Sequence, residues 1–104
     1  ISGGVNIYPA EIEHVLITLP GIIDCAVVGI PDEEFGESLA AQVVAEAGVT
    51  LDAEAIRQTL RERIAAYKVP RRIDIVDGLP RDDNGKVVKR RIRDAYWSDK
   101  ARKI

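Results

Sequence analysis

The sequence predicts a small α+β sandwich, with a short N-terminal hairpin and a roughly three-stranded sheet covered by helices. Three observations carry that expectation. Apolar residues recur at helical spacing in two separate segments, a long β-branched run lies between them, and 104 residues suffice for one buried core but not two. The whole chain, 1–104, therefore reads as a single domain.

The chain opens on Ile1-Ser2-Gly3-Gly4, a turn signal running into a short extended stretch. Paired glycines accept positive φ and let another chain or a ligand approach the backbone with no Cβ in the way. Pro9 to Leu19 follows as a helix. Ile12, Val15, Leu16 and Leu19 fall at i, i+3, i+4 and i+7, Pro9 suits the first turn, and Pro20-Gly21 stops the segment. Ile22 to Ile30 is β-branched and mostly apolar, as in a strand covered on both faces, and Pro31-Asp32 should end it. Leu39 to Ala45 is expected beside it in the sheet. Thr50 is the expected N-cap of a helix reaching about Ala66, with Asp52 and Glu54 near its positive end and Ile56, Leu60 and Ile64 as the buried stripe. Ala53 leaves that start without a capping box. Pro70 closes the segment, Ile73 to Val76 gives a short strand, and Lys89 to Tyr96 gives a short basic helix.

Composition narrows the function classes. The chain has no Met, so it is expected to be a processed product or a piece of a longer protein. A single Cys excludes a disulfide framework within the chain, no Cys/His spacing suits zinc, and a reducing, cytoplasmic compartment is expected. No apolar run approaches the roughly 20 residues of a membrane-spanning helix. Net charge is only −2, but residues 1–60 hold one basic residue, Arg57, against ten acidic ones, while residues 61–104 hold fourteen basic against seven acidic. The C-terminal part therefore faces something anionic: nucleic acid, a phosphorylated cofactor, or the acidic half of its own fold. Nucleic acid is disfavoured, because the pI is about 5.4 and no aromatic residues are interleaved with the basic ones to stack on bases. A non-catalytic binding or regulatory module that uses its basic C-terminal helix on an anionic partner stays open as an alternative.

The strongest local signal is Leu79-Pro80-Arg81-Asp82-Asp83-Asn84-Gly85-Lys86. Asn84 and Gly85 both tolerate positive φ, so a tight polar turn should deliver Lys86 at an exposed tip. An ammonium on a flexible stem is suited to a phosphate or carboxylate arriving from elsewhere. The glycines do not fit the Walker A pattern. His14 reads as a helix-surface residue, Cys25 as a small hydrophobe in a strand, and Tyr96 and Trp97 as docking side chains. Glu11 and Glu13, two apart on a helix, do not face one site.

Four stretches together, ISGGVNIYPAEIE, DCAVVGIPDEEFGE, YKVPR at Tyr67 to Arg71 and LPRDDNGKVVKRRIR, resemble the C-terminal domain of adenylate-forming enzymes, specifically acyl-CoA synthetases. The resemblance spans nearly the whole chain. Asn6-Ile7-Tyr8-Pro9-Ala10-Glu11 is closer to the CoA ligases than to peptide-synthetase adenylation domains, and RRIRDAYW is similar to ligases for fatty, alicyclic, aromatic or sterol side-chain acids. The resemblance implies a two-step reaction in which a carboxylate and ATP with Mg2+ give an acyl-adenylate and pyrophosphate, and the CoA thiol then displaces AMP. It further implies a large N-terminal domain of the same polypeptide, absent from this chain, that holds the acyl pocket and most of the nucleotide. The small domain would act as a rotating lid. Lys86 matches the family's catalytic lysine, supported by Asn84 and Gly85 in its loop, and Gly3 and Gly4 match the loop that lines the pantetheine tunnel for CoA. No metal ligand is expected in this chain.

Overall fold

A computed structural model describes residues 7–32, 34 and 36–102. The elements follow in the order α1 (Pro9–Leu16), β1 (Ile22–Asp32), β2 (Gly36–Ala45), α2 (Ala53–Arg63), a single 3-10 turn (Ala66–Lys68), β3 (Arg72–Val76) and α3 (Lys89–Arg102). The predicted order of elements is therefore reproduced, while the N-terminal hairpin expected before Ile7 lies outside the described residues.

The sheet has the order β1-β2-β3. β1 and β2 pair antiparallel, with Val27 opposite Ala41 and Gly29 opposite Leu39. β2 and β3 pair parallel, Ala41 opposite Ile73. Parallel neighbours need a crossover, which α2 supplies between them. Both faces of the sheet are covered, as the mostly apolar run in β1 requires. One face buries Val27, Ala41, Val43 and Ile73 against Ile12 and Leu16 of α1 and Ile56 and Leu60 of α2. The opposite face buries Ala26, Val28, Ile30 and Ala40 under Ile92 of α3, with Leu79, Val87 and Tyr96 packed alongside.

Several boundaries differ from expectation: α1 stops at Leu16 rather than Leu19, β2 starts at Gly36 rather than Leu39, and three further differences have visible causes. Asp52, not Thr50, caps α2, its carboxylate accepting the Glu54 N–H at 3.0 Å. Leu51 is packed against the core between the two, which sets the start of the helix at Ala53. The same helix stops at Arg63 rather than near Ala66, because Ile64 turns to extended backbone (φ −132, ψ 163) and packs against the core. β1 runs through Pro31 to Asp32 instead of ending before them. It is an edge strand, where proline is tolerated. On its outward edge the Val27 N–H is taken by the Glu13 carboxylate at 2.8 Å. Alternation places Cys25, Gly29 and Pro31 on that edge too. There Cys25 N–H donates to Asp24 at 3.0 Å, the Trp97 indole N–H donates to the Gly29 carbonyl at 3.2 Å, and Pro31 has no N–H to offer. An edge occupied in this way is a poor template for another strand.

α3 is longer than the predicted Lys89–Tyr96 and is tied down where its aromatic residues meet the sheet. The Tyr96 hydroxyl donates to Asp74 of β3 and accepts from the Gln42 amide at 3.2 Å. Arg72 lies over the Tyr96 ring and Arg93 over Trp97, 5.2 and 5.4 Å from the centroids. Docking of both aromatics on the domain is as expected. The charge split is also answered within the fold. Lys68 pairs with Glu11 at 2.8 Å, Arg71 with Asp32 at 3.5 Å, Lys89 with Glu13 at 2.7 Å, Arg93 with Glu37 at 3.7 Å, and Arg81 with Asp24. Much of the basic half therefore meets the acidic half of the same molecule.

Candidate functional site

Between β3 and α3 the chain forms a hairpin around residues 80–88. Its stem is closed by Val88 N–H to Pro80 O at 2.9 Å, a bridge between Arg81 and Val87, and Asp82 N–H to Lys86 O at 2.9 Å. At the tip, Gly85 N–H donates to Asp82 O at 3.0 Å, and Gly85 adopts φ +84. This is a three-residue loop ended by a glycine in the left-handed region. Of the Asn84-Gly85 pair only Gly85 has positive φ. The Asp82 carboxylate turns inward and accepts two backbone donors with one oxygen, Asn84 N–H at 2.8 Å and Lys86 N–H at 3.0 Å. Short polar side chains that bond to backbone two residues on favour turns for this reason.

Arg81 adds an outer brace. One guanidinium nitrogen donates to the Gly85 carbonyl and another to the Asp24 carboxylate on β1. The second oxygen of Asp24 accepts the neighbouring Cys25 N–H, which holds the carboxylate in place. The hairpin backbone is thus bonded at its stem and tip and anchored to the sheet. Lys86 differs from its surroundings: it is exposed, and among the described residues its ammonium has no hydrogen-bond or ion-pair partner. A rigid loop presenting an uncommitted cation can stabilise negative charge brought to it without first breaking an internal bond.

Beside the hairpin lies a shallow, open cavity of about 380 Å3, whose lining includes Glu13, His14, Asp24, Cys25, Val87 and Lys89. It does not add a nucleophile. Burial, then the nearby Glu13 and Asp24 carboxylates, push the Cys25 thiol up to about 11, and the sulfur sits 3.6 Å from the Glu13 carbonyl. The thiol is therefore neutral near pH 7 and packs as a small hydrophobe. His14 is exposed on α1, as expected. Glu11 and Glu13 diverge to Lys68 and Lys89. Among the described residues no group of three or more His, Cys, Asp or Glu side chains could hold a metal ion.

Of the residues singled out from sequence, Asn84, Gly85 and Lys86 share this loop, while Gly3 and Gly4 lie outside the described residues. Asp82, Arg81 and Asp24 were not anticipated. Asp82 leaves a trace in sequence, an Asp two residues before Asn84, whereas the Arg81–Asp24 pair joins positions 57 residues apart and leaves none.

Residues 11–86 match the family model for the AMP-binding enzyme C-terminal domain. The chain is 49% identical over 94 residues, 90% of its length, to a 3-[(3aS,4S,7aS)-7a-methyl-1,5-dioxo-octahydro-1H-inden-4-yl]propanoyl:CoA ligase of Rhodococcus jostii, of which that alignment covers 18%. It is 43% identical over 104 residues, its full length, to the fatty acid–[acyl-carrier-protein] ligase ScoC of Streptomyces coeruleorubidus, covering 20% of that protein. A solved Mycobacterium tuberculosis fatty acyl CoA synthetase superposes with a TM-score of 0.87 at 41% identity, over 95% of this chain and 20% of that one. The chain spans about a fifth of the length of these relatives.

Proposed function

Because the chain belongs to the AMP-binding enzyme C-terminal domain family, we propose that it is the lid domain of an AMP-forming acid–CoA ligase. In the first step a carboxylate oxygen of a fatty or related acid attacks the α-phosphorus of ATP and pyrophosphate leaves. Lys86 stabilises the negative charge gathering between the acyl carboxylate and the α-phosphate, as an electrostatic clamp rather than as a base. In the second step the CoA sulfur attacks the acyl carbon and AMP leaves, with Gly3 and Gly4 forming a side-chain-free wall for the pantetheine arm. The large N-terminal domain of the same polypeptide holds the acyl pocket and most of ATP, its Mg2+ and CoA. One observation carries this reading: the ammonium of Lys86 is uncommitted among the described residues, on a loop whose backbone is otherwise bonded in place.

The test separates the two steps in the full-length protein. Lys86→Ala should lower ATP–pyrophosphate exchange by about a hundredfold or more, the loss typical of one preorganised charge-stabilising donor, and spare CoA attack on presynthesised acyl-adenylate. Gly4→Leu should do the reverse, with Gly3→Leu following it. Equal loss of both steps in all three variants would show that these residues only hold the fold together. The likeness to the carrier-protein ligase supports a second reading of the acceptor, since a carrier protein delivers the same pantetheine thiol. Thioester formation with CoA and with a pantetheinylated carrier, compared at equal thiol concentration, decides between them.

A further inference from the structure

The hairpin's own hydrogen bonds make residues 80–88 one stiff unit, but they do not set the angle at which that unit leaves the sheet. Leu79 and Val87 pack against the α3-side core, and apolar contacts of this kind are not directional. Among the described residues, the directional link that the hairpin's own side chains make to the sheet is Arg81. Its planar fork spans Gly85, the residue immediately before Lys86, and Asp24 on β1. Both acceptors are themselves constrained, Gly85 by its turn and Asp24 by the Cys25 N–H at 3.0 Å. A guanidinium holds two acceptors at a fixed angle, which a single ammonium cannot do. Fold stability does not account for the arrangement, because the Arg81 and Asp24 side chains are 42% and 28% exposed, and exposed ion pairs contribute little.

We propose that Arg81 is a positioning residue for adenylation, its guanidinium fixing the direction in which the hairpin presents the Lys86 ammonium. The proposal rests on the reading of Lys86 given above. Displacement of a catalytic group by about 1 Å can cost about a hundredfold in rate, so the effect belongs in the chemical step rather than in nucleotide affinity.

The experiment uses the full-length ligase with Arg81→Ala, Arg81→Lys and Asp24→Asn, and with Arg81→Ala combined with Lys86→Ala. Arg81→Ala should lower kcat for ATP–pyrophosphate exchange by about ten- to a hundredfold, leave KM for ATP unchanged, and leave thioester formation from presynthesised adenylate at the parent rate. Arg81→Lys should restore only part of the loss. Asp24→Asn keeps the oxygen that accepts from Cys25 and should fall in the same direction as Arg81→Ala by a smaller factor, and it carries the test if Arg81→Ala does not fold. Added to Lys86→Ala, Arg81→Ala should cost nothing further. Parent-like kcat in both Arg81→Ala and Asp24→Asn, with Lys86→Ala impaired, overturns the positioning role alone. A full additional loss on top of Lys86→Ala also overturns it, since Arg81 would then act on the substrate directly. Equal loss of both half-reactions, with a lowered Tm, reduces the contact to a structural one. Unimpaired exchange in Lys86→Ala overturns the reading of the lysine itself.

Discussion

Gly85 is required for its backbone torsion rather than for space. It sits at φ +84, and a Cβ added there would have nothing within 4 Å. Gly85→Ala should therefore destabilise the folded chain by about 1 kcal/mol through the left-handed penalty alone, and Gly85→Asn by less. Urea denaturation of the two variants measures this, and equal costs for Ala and Asn would contradict it. Cys25 makes a prediction in pH. Its thiol is raised from 9.0 to about 11, chiefly by burial, so the native state keeps a proton that the unfolded chain gives up. The native state then binds more protons than the unfolded one, and stability falls as pH rises. The contribution is intact below about pH 9 and lost progressively toward about 11. The stability advantage of the parent over Cys25→Ala should shrink between pH 8.5 and 10.5, and a constant difference would argue against the burial assigned to this thiol. At this level sequence was a partial guide. Asn84-Gly85 marked the turn, but either residue could have taken the positive φ, and hydrogen bonding within the folded loop gave it to Gly85 alone.

Among the elements, β1 depends on side chains from elsewhere to close its outer edge. Glu13 accepts the N–H of Val27, a residue with no exposed surface, and also pairs with Lys89 of α3. Glu13→Ala should leave that donor without an acceptor and cost about 1–3 kcal/mol, while Glu13→Gln keeps an acceptor and should cost less. Chemical denaturation ranks the two, and equal costs would assign the effect to the ion pair instead. α3 is held at its middle by Tyr96, whose hydroxyl links Asp74 of β3 to Gln42 of β2. Tyr96→Phe should cost about 1 kcal/mol and weaken amide-exchange protection in the second half of α3 more than in α1. Uniform loss of protection would show that α3 does not open separately. The elements themselves were readable because periodicity and β-branching report burial directly. Their ends were less so: Thr50 and Asp52 are both good N-cap residues, and the packing of Leu51 between them selected Asp52.

For the molecule as a whole, a sheet buried on both faces and ion pairs joining its acidic and basic halves describe a unit with its own core. We predict that the isolated 104-residue chain unfolds in a single transition, with calorimetric and van't Hoff enthalpies in agreement, and shows no ATP–pyrophosphate exchange. Measurable exchange by the purified chain would contradict the assignment of the acyl pocket and most nucleotide contacts to a separate domain. No helix among the described residues is long and apolar enough to cross a membrane.

The order of elements, the two-sided burial of β1, the tight turn ahead of Lys86 and the family resemblance were all legible in the amino-acid order, because each depends on residues close together along the chain. Four features were not: the parallel pairing of β3 with β2, the closing of the β1 edge by Glu13 and Trp97, which basic side chain meets which acidic partner, and the brace from Arg81 to Asp24. These contacts join positions 14 to 76 residues apart. Such pairings carry no local pattern, because they exist only once the hydrophobic faces have packed and brought distant polar groups within hydrogen-bonding range.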